Sequence, residues 1–89
     1  MITKEFKITN RLGLHARPAA KLVQAAGEFD CEVKIIKDGV EVDAKSIMGV
    51  MMLAAECGAT LQMQFDGADE EKAAEAISTL FANKFNEDF

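Results

Sequence analysis

The feature that most constrains this chain is the repeated switch of its apolar period between two and 3.6 residues within only 89 positions. Ile2, Phe6 and Ile8 share one parity while Thr3, Glu5 and Lys7 take the other, as in a strand with one face buried. From Ala16 the spacing changes: Ala19, Leu22, Val23 and Ala26 fall at i, i+3, i+4 and i+7, a single stripe along a helix that Gly27 ends. Pro18 suits the first turn of that helix, where a missing N–H costs little. Cys31, Val33 and Ile35 then alternate with Glu32 and Lys34, Asp38-Gly39 supplies a tight turn, and Val40 and Val42 resume the alternation, which predicts a β-hairpin. Ser46 is placed to cap a short helix expected from Ile47 to Ala54, closed by a turn around Gly58. Leu61, Met63 and Phe65 make a last strand. After Asp66-Gly67, the acids Asp69, Glu70 and Glu71 suit the positive end of a helix whose stripe runs through Ala73, Ile77, Leu80 and Phe81. The run Asp69 to Lys72 reads as a solvated face, and the tail from Phe85 onward is expected to fray.

The resulting order, β-α-β-β-α-β-α, buries every stripe at once in an α+β open-faced sandwich: a four-stranded antiparallel sheet with three helices on one face. With 49% hydrophobic and 28% charged residues, positions 1–89 suit one domain with one core. The longest apolar stretch, Ile47 to Ala55, falls far short of the roughly 20 residues of a membrane span. No charged-then-apolar leader is read at the start, so an unprocessed cytoplasmic protein without direct membrane insertion is expected. A net charge of −5 argues against nucleic acid as a partner, because that affinity needs clustered Lys and Arg. Cys31 and Cys57 form no Cys-x-x-Cys pair and read as free thiols, Cys31 on the inward parity of its strand and Cys57 accessible in a turn. No cofactor is implied, and a metal site is not expected, since the chain has one histidine and no carboxylate at helical spacing from it.

That histidine, His15, stands between the turn Asn10 to Gly13 and the first residues of the first helix. The first amides of a helix lack partners within it and carry partial positive charge, so this end offers donors to a phosphoryl oxyanion. Arg17, two residues on, can bring a planar fork of donors to the same anion. A histidine at a helix start equally suits a capping or surface role. Ser46 has the same duality: it can act as an N-cap alone, yet a phosphate there would be welcomed by the helix terminus. The helix it opens is apolar nearly all round, so it is either fully buried or presents an adaptable Met-rich face for protein docking. For that face to flank His15, the first two helices must lie side by side.

Gly13-Leu14-His15-Ala16-Arg17-Pro18-Ala19-Ala20 resembles the active-site signature of the HPr family of the bacterial phosphotransferase system, and Lys45-Ser46-Ile47-Met48-Gly49-Val50-Met51 resembles that family's second signature at the same distance from the histidine. The resemblance spans the whole chain and implies a phosphocarrier that turns over only with its partners. Enzyme I, charged from phosphoenolpyruvate, would phosphorylate His15 on Nδ1, and a sugar-specific EIIA domain would accept the group, with Arg17 stabilising it. Ser46 matches the position modified by an ATP-dependent HPr kinase/phosphorylase. Leu14, Ala16, Ala20, Ile47, Met48 and Met51 match the surface on which partners dock, and a monomer is expected. Met52-Leu53-Ala54-Ala55 and Glu56-Cys57-Gly58 depart from the commonest sugar-branch pattern, and a carrier of the nitrogen-regulatory branch, NPr, has the same site with similar continuations. A purely regulatory binding module acting through Ser46 is the further alternative, against which His15 and Arg17 speak. A small RNA-binding sheet protein would need aromatics on its open face, and the chain has no Trp or Tyr.

Overall fold

Alternation at the start of the chain produces β1 (Ile2–Lys7), and the change of period at Ala16 produces α1 (Ala16–Gly27). The hairpin follows as β2 (Glu32–Lys37) and β3 (Val40–Asp43), its turn made by Asp38 and Gly39, both at positive φ. Then come α2 (Ile47–Met52), β4 (Thr60–Asp66), α3 (Glu70–Ala82) and a 3-10 turn over Lys84–Asn86. This is a computed structural model, and it describes residues 1–86.

The four strands form one antiparallel sheet in the order β1-β4-β2-β3. Its register explains the parity of the sequence. Phe65 is opposite both Ile2 and Val33, Leu61 is opposite Phe6, and Met63 is opposite Ile35, so the apolar members of three strands stack on one face. The other face carries Thr3, Gln64, Lys34 and Asp43 in one row and Glu5, Gln62, Ile36 and Glu41 in the next. The helices cover the apolar face. α1 buries Pro18, Ala19, Leu22 and Ala26, α3 buries Ala73, Ala74, Ile77 and Phe81, and the expected stripe members Val23 and Leu80 are half-buried.

The structure departs from the sequence reading in three places. α2 ends at Met52, two residues early, because Ala54 turns to φ +49° while Leu53 and Ala55 drop into the core. Phe85 does not fray: it is 1% exposed, stands edge-on to Phe81 at 4.9 Å, and its carbonyl accepts a 2.6 Å hydrogen bond from Lys21 Nζ. Phe81 stacks in turn on Phe6 at 4.5 Å, so one aromatic column joins α3, β1 and the 3-10 turn. The rest of the expected frayed tail, 87–89, lies outside the described residues. Asp69, thirdly, is more than a solvated helix residue. Its carboxylate accepts from the Asp30 and Cys31 amides at 2.8 and 2.9 Å, clamping the entrance of β2 to the start of α3. The Asp30 amide, with smaller help from Cys31, holds this carboxyl below its usual value. The Gly67 amide does the same for Glu70, aided by the Met1 ammonium at 3.2 Å.

Candidate functional site

The N-terminus of α1 is held in place from behind by a loop with little freedom. Leu14 donates its amide to the Ala55 carbonyl at 2.8 Å, and Gly13 donates to the Asn10 carbonyl at 3.0 Å while its own carbonyl accepts from the Asn10 side chain. Gly13 lies at φ +70°, and a Cβ there would come within 2.6 Å of the Ala55 oxygen, so only glycine fits the approach of this loop to the turn after α2. On the near side, Ile8 and Gly58 close the same junction, with Ile8 donating to Ala59 and Gly58 donating to Ile8, each at 2.8 Å.

This framework delivers His15 as the N-cap residue of α1, in an extended conformation (φ −77°, ψ −170°), with its carbonyl accepting from the Ala19 amide at 2.9 Å. Its side chain makes no capping bond to the helix, which removes the capping reading of this histidine. The ring is half-buried, with Nε2 shielded from solvent. Pro18 has no N–H and the Ala19 amide is used by His15, so the donors the helix can offer an anion are the amides of Ala16 and Arg17. No acidic residue stands in this first turn to oppose an anion, and the exposed Arg17 belongs to it. The turn that His15 caps is thus the positive end of a helix of 12 residues and also carries a guanidinium.

α2 packs against α1, as a shared surface requires. Ser46 is its N-cap and accepts from the Gly49 amide at 3.2 Å. Lys45 ties the two helices together, donating from Nζ to the Phe29 carbonyl just beyond α1 at 2.8 Å, while its amide binds the Asp43 carboxylate at 2.9 Å. Val50 is fully buried and Gly49 half-buried, and the other four residues of α2 face outward: Met48 is 71% and Met52 77% exposed, with Ile47 and Met51 also exposed. The structure thus decides between the two readings of this helix in favour of an open Met-rich face. Ala16 is exposed and Ala20 half-buried on α1. Leu14 is the exception among the expected docking residues. It is 5% exposed and packs into the core, because the bond from its amide to Ala55 turns the loop inward there. In its place the structure exposes Leu12, at 60%. A leucine inside an otherwise polar turn is the sequence signal for it, whereas the exposure of Met52 follows from the one-sided anchoring of α2 by Val50 in the structure. Among the described residues no group of three His, Cys, Asp or Glu is arranged around a metal, and no helix is long and apolar enough to cross a membrane.

Residues 2–83 match the family model described as the PTS HPr component phosphorylation site. The chain belongs to the HPr family. It is 53% identical over 87 residues to the phosphocarrier protein HPr of Cupriavidus necator, covering 98% of each chain, and 50% identical over 88 residues to that of Treponema pallidum, covering 99% of this chain and all of the other. Its fold is similar to the crystal structure of HPr-C-His from Thermoanaerobacter tengcongensis, with a TM-score of 0.96, 42% identity and full coverage of both chains. It is thus an HPr-family phosphocarrier of the bacterial phosphotransferase system, with the four-stranded antiparallel sheet and helix order of its structural neighbours. The family model includes the segment that holds His15, Arg17 and Ser46.

Proposed function

We propose that this carrier accepts a phosphoryl group on Nδ1 of His15 from phosphorylated enzyme I and passes it to EIIA domains. The observation that carries the reading is the position of His15: it is the N-cap residue of α1, the end of the helix at which the Ala16 and Arg17 amides can bind an anion. Shielding of Nε2 disfavours attack from that nitrogen and supports Nδ1 as the acceptor. In the forward step the Nδ1 lone pair, in the tautomer that carries its proton on Nε2, attacks phosphorus, and the bond from phosphorus to the donor breaks with its electron pair remaining on the donor. The phosphoryl oxygens meet the helix amides and the Arg17 guanidinium. Transfer onward reverses the roles, with His15 as the leaving group.

Both steps need a partner to bring the second reacting atom. The exposed Ile47, Met48 and Met51, with Ala16 and Ala20 on α1, supply an adaptable apolar surface beside His15 for that purpose. Ser46 lies at the edge of this surface. Phosphorylation by an HPr kinase/phosphorylase would place close to two negative charges against Ile47 and Met48 while the α2 terminus tolerates them, so docking weakens and the fold survives. In this reading the carrier works as a monomer in the cytoplasm.

The reading is tested by reconstituting the relay from enzyme I, phosphoenolpyruvate, magnesium and an EIIA domain. Label should reach EIIA only when this chain is present and not with His15→Ala. Loss of the charged hydrogen bonds in Arg17→Ala should slow the relay by about tenfold to hundredfold. A relay sustained by His15→Ala would contradict the assignment.

A further inference from the structure

Asn10 is the one buried polar or charged residue among those described, at 0% exposure, and the phosphoryl relay gives it no part. Its position is specific. The backbone carbonyl of Asn10 accepts from the Gly13 amide at 3.0 Å, and its side-chain Nδ2 donates to the Gly13 carbonyl. One residue thus holds both polar groups of Gly13, and the next amide, that of Leu14, is held by Ala55. These bonds fix the backbone immediately before His15. The ring's χ angles start from a Cα whose preceding peptides are held by these bonds, and the half-buried ring has its Nε2 shielded from solvent.

We propose that Asn10 is a positioning residue for phosphoryl acceptance: its side-chain bond to Gly13 sets the orientation in which the His15 ring meets the phosphoryl donor and the Ala16 and Arg17 amides. The inference rests on the reading of His15 as the phosphoryl acceptor. In this role Asn10 acts through Gly13. A loop freed at Gly13 still folds against Ala55 and still presents the α2 face, but the ring samples orientations in which its acceptor nitrogen and the helix donors are not aligned. The loss therefore falls on the transfer step and leaves docking intact, because Ile47, Met48 and Met51 stand on a separate element.

Two variants separate positioning from mere stability. Asn10→Ala removes the donor, and Asn10→Asp keeps the shape while replacing the amide donor by an acceptor that the Gly13 carbonyl repels. Ile77→Val, in the core far from the loop, serves as a destabilised control. Acceptance is measured by rapid quench with purified enzyme I and phosphoenolpyruvate at a temperature where circular dichroism shows each protein fully folded. The Asn10 variants should lose at least about tenfold in kcat with KM for this carrier within about twofold, and should shift the His15 ring resonances in NMR spectra. Ile77→Val should change neither. Wild-type kcat in either folded Asn10 variant overturns the proposal, as does a loss that appears in KM alone or failure of both variants to fold. If wild-type protein accepts no phosphoryl group, the reading of His15 fails instead.

Discussion

Gly13 meets two demands together, a left-handed φ of +70° and a backbone approach that leaves no room for a Cβ, and His15 depends on both being met. Gly13→Ala should cost about 1–3 kcal/mol in chemical denaturation from the backbone strain alone and slow phosphoryl acceptance in the protein that remains folded. Ser46 can be tested in the same way. Ser46→Ala loses the bond to the Gly49 amide and should cost about 1 kcal/mol, whereas Ser46→Asp should keep stability near wild type and weaken acceptance from enzyme I. The placement of His15, Arg17 and Ser46 at helix starts is legible in the sequence, because each precedes or opens a helix whose start is marked by a change of period. That of Leu14 is not, since periodicity places a residue on a helix face or a strand face and Leu14 belongs to neither. Its burial follows from a hydrogen bond to Ala55, 41 positions away in the numbering of the chain. Asn10 escaped for a related reason: turn propensity explains its presence and hides that its side chain is spent on Gly13.

α2 shows what local pattern can and cannot decide. Its uniform apolarity is compatible with full burial or with a docking face, and only the placement of α1 and the sheet on one side of it, with Val50 as anchor, resolves the choice. Local propensity carries the helix on to Ala54 because Leu53 and Ala54 favour it, while the core draws Leu53 and Ala55 inward and turns Ala54 to positive φ. Exposure makes the function of the helix separable from its stability. Met48→Glu, at a residue 71% exposed, should leave the unfolding midpoint within about 0.5 kcal/mol of wild type while raising KM for enzyme I and sparing kcat. Titration of enzyme I against the two proteins, read alongside urea unfolding, checks both halves of that expectation.

Across the whole molecule the last turn among the described residues is tied to the first strand and to α1. The Phe6–Phe81–Phe85 column and the bond from Lys21 to Phe85 close the last turn over β1 and α1, so Phe85→Ala should destabilise the fold by about 3–5 kcal/mol in urea. The sequence pattern could not foresee this, because Phe85 follows the last helical stripe and reaches the core through positive φ at Lys84 and Phe85 itself. The Asp69 clamp adds a pH dependence of definite sign. The folded carboxyl titrates below its ordinary value, so its stabilisation is complete above the unfolded value near about 4 and is lost as pH falls through the folded value. Asp69→Asn should melt below wild type at pH 7 and converge with it in acid. The thiols give a check on the core: burial, with Asp69 alongside, raises the Cys31 thiol, so Cys57 alone should react readily in the folded protein and both after unfolding. In the proposed function this architecture presents one imidazole to a phosphoryl donor. Its role is tested most directly by intact mass after incubation with enzyme I, magnesium and phosphoenolpyruvate. Wild-type protein should gain a single acid-labile phosphoryl group and His15→Ala none, and a phosphoryl group gained equally by both would contradict the account.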